Sequence, residues 1–163
     1  MPIRNQEATT EGFQLAEFLP HKLAVVADHI SRVFAENMNE LHNLTIPEWR
    51  VLVIVAGSAP VSPTTVGQRA AMDKVKVSRA TQGLIARGLL RQNQDPRDGR
   101  GRLLRLTRKG TILYGASLPV AATLSANVFD ELSRTDTAAL SRLLTKIMIG
   151  IEITDQTRGT PGA

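Results

Sequence analysis

Between Met72 and Gly110 the chain passes from helical hydrophobic spacing to two short runs joined by a turn-rich tip, and no other stretch limits the fold so tightly. Val77, Ala80, Thr81, Leu84 and Ile85 recur at helical spacing, so one face of this segment packs inward. The opposite face carries Lys76, Arg79 and Gln82, with Lys74 and Ser78 near its start. Gly88 stands where a glycine ends a helix by taking a left-handed conformation. Two short runs follow, Leu89–Gln94 and Arg102–Thr107, joined by a tip rich in Asp, Pro, Gly and Arg. The pattern predicts a helix followed by a two-stranded hairpin with a basic exposed surface.

The charge is local. From Arg69 to Lys109 there are twelve basic and three acidic residues, a net of +9, whereas the whole chain carries only +5. Everything outside this window therefore sums to −4. A basic block on an otherwise mildly acidic protein is the electrostatic footprint of a phosphate-backbone binder. The bland alternative, a solvated positive surface, does not explain why the charge coincides with the helix and hairpin.

The elements around this block follow from their start and stop signals. Residues 1–14 are polar and aperiodic, and are expected to form a flexible arm. Leu23, Val26, Ala27, Ile30, Val33, Phe34, Met38 and Leu41 make a long amphipathic helix, with Pro20 in its first turn. Thr45-Ile46-Pro47-Glu48 reads as a capping box opening a short, almost wholly apolar helix that stops at Gly57, so this helix is expected at the centre. Ser62-Pro63 repeats the start signal for a helix to about Ala71. Two short helices joined by a tight turn, the second basic, read as a helix-turn-helix, and the hairpin makes it winged. Thr107 can cap a helix over about 108–132, with a kink expected at Pro119. Ser133 to Asp136 resembles another capping box, opening a last helix with Leu140, Leu143, Leu144, Ile147 and Ile151 to about Ile153. The tail 154–163 is polar and expected to be flexible.

The 163 residues suit one domain with helical extensions, and 42% hydrophobic residues are ample for its core. No apolar run approaches the ~18 residues of a membrane span, and no secretory signal pattern opens the chain, so no membrane partner is expected. The absence of cysteine excludes disulfides, thiolate zinc sites and cysteine-based peroxide sensing, and a reducing cytoplasm is the expected compartment. His21 and His29 are eight apart, too far for a helical metal pair, so neither metal nor cofactor is expected. No catalytic motif occurs, which leaves an enzyme reading without support.

In this order of elements, Asp98-Gly99-Arg100, then Leu104, then Leu106-Thr107 followed by Gly110 resemble the wing tip and strand-to-helix junction of the multiple antibiotic resistance regulator (MarR) family. Val77-Ser78-Arg79 is similar to the family's recognition helix, and Gly88-Leu89-Leu90 to its exit into the wing. The resemblance spans about Leu15 to Ile151. It implies a mainly α (α+β) fold: a winged helix-turn-helix DNA-binding domain over 45–110, flanked by dimerisation helices over 15–44 and 111–153. The implied protein is a homodimeric transcriptional regulator, a repressor by expectation, on a pseudo-palindromic operator in double-stranded DNA. Amphipathic helices far apart in sequence, with more apolar surface than a winged helix needs, agree with a dimer. An architectural DNA binder without an effector is the alternative.

The expected DNA contacts are Thr64, Thr65, Lys74, Lys76, Ser78, Arg79, Gln82, Arg97, Asp98, Arg100 and Arg102. Arg79 and its neighbours are placed in the major groove. Arg100, oriented by Asp98, is placed in the minor groove, and Arg97 and Arg102 on phosphates. The family further implies an effector crevice between the first, second and fifth helices, near which His21, Arg32, Trp49, Arg50, Leu113 and Tyr114 would fall. Three cationic and two flat side chains would suit an aromatic carboxylate or its coenzyme A thioester. Ile46-Pro47-Glu48-Trp49-Arg50 is similar to regulators of aromatic-acid breakdown. The competing reading makes Trp49 a core residue and ties Arg32 and Arg50 to Glu17, Glu36 or Glu48.

Overall fold

The structure, a computed structural model, describes residues 13–99 and 101–158. It forms two compact units, one to Ala121 and one from Ala122. Residues 1–12 of the expected flexible arm and the last five residues, 159–163, lie outside the described residues, as does Arg100.

In the first unit a single 3-10 turn, Leu15–Glu17, precedes α1, Leu19–His42, which has Pro20 in its first turn as expected. Helix α1 ends at Asn43 in a left-handed conformation (φ 50°), whose amide donates back to Asn39 O and Met38 O. Thr45 then opens α2, Ile46–Ser58, with both halves of the capping box in place. Gly57 falls inside the last turn of α2 and does not end it. Val51, Leu52 and Val55 on α2 are fully buried, and α1, α3, α4 and the hairpin all pack around this helix.

Helix α3, Pro63–Ala70, is capped by the Ser62 hydroxyl at Thr65 N. A left-handed Ala71 (φ 50°) turns the chain into α4, Lys74–Ala86. The inward face of α4 is the expected one: Val77, Ala80, Thr81 and Leu84 are buried, and Gly88 takes φ 68°. Strands β1, Leu90–Gln94, and β2, Arg102–Leu106, pair antiparallel with Leu90 opposite Leu106 and Gln94 opposite Arg102. A bridge that the pattern does not reveal joins Val61 to Leu104. The Val61 amide donates to Leu104 O at 3.3 Å and the Leu104 amide to Val61 O at 2.8 Å.

The closing junction explains the sequence Leu106-Thr107-Arg108-Lys109-Gly110. The Thr107 hydroxyl donates to Gly88 O at 2.7 Å and accepts from the Gly110 amide at 3.0 Å, so it caps α5 and ties that helix to the end of α4. A Cβ on Gly110 would sit 2.0 Å from Leu89 O, so no other residue fits.

Helix α5, Arg108–Val128, runs through Pro119 and stops four residues short of the expected end, where a turn over 129–132 leads to the Ser133 cap. By length and mean hydropathy (1.2) it is long and apolar enough to cross a membrane, correcting the expectation that no segment is. Leu113, Val120 and Ala121 on it nevertheless pack against the winged-helix core.

In the second unit, α6 spans Arg134–Arg158 and continues past Ile153 into the stretch expected to be flexible. Thr154 to Arg158 contain no glycine or proline, so nothing there stops propagation. Its cap differs in detail from the expected box: Ser133 Oγ accepts from the Asp136 amide at 3.1 Å while donating to Asp136 Oδ2 at 2.5 Å.

Replacing Gly110 with Ala forces either β1 or α5 to move, because the clashing atom is backbone. Such overpacking costs about 3 kcal/mol or more. Urea unfolding should show that loss, with the wild-type slope retained; a stability within experimental error of wild type would mean that the junction is loose.

Candidate nucleic-acid interface

Asp73 fixes where α4 begins. Its Oδ1 accepts from the Lys76 amide at 2.8 Å, so α4 starts with a capped first turn. Lys74 and Lys76 fall in that turn, and no acidic residue accompanies them. Cations at the positive end of a helix are unfavourable by themselves and become favourable when an anion arrives. Lys76 Nζ lies 3.5 Å from Asp73 Oδ2, which offsets part of the cost.

Lys74, Lys76, Ser78, Arg79 and Gln82 are all exposed, as their periodicity requires. Gln82 Nε2 donates to Ser78 Oγ at 3.4 Å, one turn back along α4. A hollow of about 660 Å³ opens between α3, α4 and β1, and Thr64, Lys74, Ser78 and Gln82 line it together with Gln92. Thr65 does not reach it in the same way: it is half-buried, and its hydroxyl is 2.9 Å from that of Ser62 in the α3 cap. Thr81 lines the hollow too, and its buried hydroxyl has no hydrogen-bond partner among the described residues. Sequence periodicity assigns Thr81 only to the inward face, which conceals this.

The hairpin tip is braced by its own backbone. The Asp95 amide donates to Gly101 O at 2.9 Å, the Gly101 amide to Asp98 O at 2.8 Å, and Gln94 Nε2 to Gly99 O. Asp95 Oδ1 accepts from the Arg97 amide at 2.9 Å, which leaves the Arg97 side chain exposed. Arg102 is exposed at the start of β2. The expected orientation of Arg100 by Asp98 concerns a residue outside the described ones.

The six residues expected near an effector crevice have different surroundings. Trp49 is a packing residue: its ring meets Phe34 edge-on at 4.8 Å, and its Nε1 donates to the buried Ser117 Oγ at 3.3 Å. Leu113 packs against the core. His21 is half-buried and Arg50 exposed. Arg32 pairs with Asp28 at 3.4 Å, Glu17 with Lys22 at 2.7 Å and Glu48 with Arg87 at 3.6 Å. The expected partnering of Arg32 with Glu17, Glu36 or Glu48 is thus corrected, since an i, i+4 aspartate is nearer. Tyr114 lines a hollow of about 300 Å³ with Thr111, Arg91 and Arg105. The two arginines face each other directly across the strands. Like charges so placed repel. An anion between them would relieve that.

The Lys76 amide holds the Asp73 carboxyl below its ordinary value of 3.8, with the Lys76 charge adding to the effect. A depressed pKa stabilises the fold above the unfolded value, and that stabilisation is lost as pH falls through the folded one. Asp73→Asn keeps a capping oxygen but does not titrate. In urea unfolding, the difference between wild type and Asp73→Asn should be flat above about pH 5 and should change, in the destabilising direction for wild type, below about pH 4. A difference that stays constant through the acid range would remove Asp73 from the pH dependence.

Residues 42–101 match the MarR family. The chain is 26% identical over 110 residues to the transcriptional regulator HosA of Escherichia coli O111:H-, a match covering 68% of this chain and 82% of HosA. It is similar in structure to Bordetella bronchiseptica BpsR, whose DNA binding is regulated by 6-hydroxynicotinic acid, with a TM-score of 0.73 and 26% identity over 79% of this chain and 97% of that one. It is also similar to the PcaV transcriptional regulator of Streptomyces coelicolor, solved with its natural ligand, with a TM-score of 0.71 and 26% identity over 83% of this chain and 95% of that one.

Proposed function

We propose that this chain, of which residues 42–101 match the MarR family of transcriptional regulators, is a homodimeric repressor released from its operator by a small aromatic acid. The observation that carries the DNA contacts is the coincidence of exposed Lys74, Lys76, Ser78, Arg79 and Gln82 on one capped helix beside a braced basic hairpin. Lys76, Arg79 and Gln82 read bases in the major groove. Arg100 reads the minor groove, and Arg97 and Arg102 hold phosphates.

The dimer reading rests on apolar surface. Val25, Val26 and Val33 on α1 and Leu143, Leu144, Ile147 and Met148 on α6 are each more than a third exposed in the single chain. A second copy is the natural cover for two such faces. Phe34, on the same helix as the valines, packs on Trp49 at the junction of α1 and α2.

The effector reading draws on what regulates BpsR and on PcaV's complex with its natural ligand. With Trp49 committed to packing, the flat surface left beside positive charge is Tyr114, with Arg91 and Arg105 in the same hollow. A carboxylate between the two guanidiniums with its ring toward Tyr114 matches that chemistry. An effector can shift DNA affinity only by binding one arrangement of the recognition helices better than another.

Selection from random DNA should enrich a palindrome, and footprinting should protect that site alone; uniform coverage would favour the architectural alternative. Arg79→Ala should weaken the enriched site by ~1–3 kcal/mol and random duplex much less, as loss of a bidentate base contact does. An equal loss on both would confine Arg79 to phosphates. Sedimentation should give a dimer at micromolar concentration, and a stable monomer there would end the two-half-site reading. Titration with benzoates, hydroxycinnamates and their coenzyme A esters should release the operator in the wild type and not in Arg105→Gln. Retention of DNA by the wild type throughout would exclude these acids as effectors.

A further inference from the structure

Gly83 sits in the middle of α4, where glycine weakens a helix. Its φ is not in the left-handed region, which among the described glycines only Gly88 occupies. What requires it is space. A Cβ on Gly83 would lie 2.9 Å from Glu48 Oε1.

That carboxylate can step aside only by giving up contacts. Glu48 is in the first turn of α2, and its Oε2 accepts from the Thr45 amide and the Thr45 hydroxyl, both at 2.9 Å. Its Oε1 is 3.6 Å from Arg87 Nη1, with the Glu48 side chain only 13% exposed. Arg87, the residue that ends α4, donates from Nη1 to Asn43 O at 2.7 Å, in the left-handed turn that ends α1. Lys109 Nζ, in the first turn of α5, donates to Arg87 O at 3.0 Å. The ends of α1 and α4 and the start of α2 therefore meet at one carboxylate, one guanidinium and one missing side chain, and α5 joins them through the Arg87 carbonyl.

We propose that Gly83 is a positioning residue for DNA recognition. By leaving room for the Glu48 carboxylate, it seats the second half of α4 against the start of α2. The Glu48–Arg87 contact then fixes the angle at which α4 presents Lys76, Arg79 and Gln82. The inference rests on the reading of α4 as the DNA-recognition helix. A methyl group at position 83 displaces α4 or breaks the Glu48 contacts, and either outcome re-aims those side chains without touching them. Removing the carboxylate removes the obstacle, so the effect of the methyl group disappears with it.

The test uses the full chain, the duplex enriched from random DNA by the wild type, and derivatives of that duplex with the half-site spacing lengthened or shortened by one base pair. Gly83→Ala is expected to bind the enriched duplex at least about tenfold more weakly, to bind random duplex as well as wild type, and to change the ranking of the spacing derivatives. Glu48→Ala supplies the other corner of a double-mutant cycle. The double variant Glu48→Ala/Gly83→Ala is expected to bind no more weakly than Glu48→Ala, and to melt at or above its temperature because alanine favours the helix. The double variant also keeps the test open should Gly83→Ala alone fail to fold. Wild-type affinity and spacing preference in Gly83→Ala would overturn the proposal, as would losses that simply multiply in the double variant. Failure of the wild type to enrich any sequence overturns the regulator reading and the positioning role together, whereas an enriched site bound equally by Gly83→Ala overturns the positioning role alone.

Discussion

The close approach of the Leu89 carbonyl to the first turn of α5 is the constraint on which the DNA-facing half of this molecule depends. It brings two distant stretches of backbone together, and the absence of a side chain at Gly110 allows it. Thr107 then uses one hydroxyl twice, toward Gly88 and toward Gly110. The exit from α4, the return strand of the hairpin and the start of α5 thereby share one oxygen. Without that closure the hairpin would keep only Gly88 and the Val61–Leu104 bridge to hold it. The basic helix and the basic hairpin would lose part of their fixed relation.

Stability and recognition conflict at the opposite end of α4. Two lysines in its first turn oppose the helix dipole, and Asp73 offsets part of that through Lys76. The hollow beside them contains a buried threonine hydroxyl without a partner among the described residues. Each feature costs the isolated protein something that a bound phosphate or base edge would repay. Local weakness at a surface that binds an anion is what linkage leads one to expect.

Local signals were the legible part of the fold. Thr45 with Glu48, Ser62 with Pro63, the Gly88 turn and the Thr107 cap all act over a few residues, and each sits where the sequence places it. The solvent face of α4 was legible for the same reason, since periodicity alone assigns it. What escaped was non-local. Nothing around Val61 announces a partner at Leu104, and nothing in Gly83 by itself announces Glu48. The Phe34–Trp49–Ser117 cluster joins three helices, so Trp49 stayed ambiguous between packing and ligand contact until its neighbours were placed. The arginines expected to line a crevice were the least legible, because a long charged side chain takes whichever carboxylate is nearest. For Arg32 that is Asp28, one turn away on its own helix.

The confinement of positive charge to one stretch also bears on how the protein meets a polyanion. Between Arg69 and Lys109 the chain carries +9, and the remaining residues together carry −4. A polyanion attracts the first and repels the second, so encounters that begin at α4 and the hairpin are drawn in while others are not. The pull acts over about 8 Å at physiological salt. Raising the salt shortens that reach, and the preference among encounters fades with it.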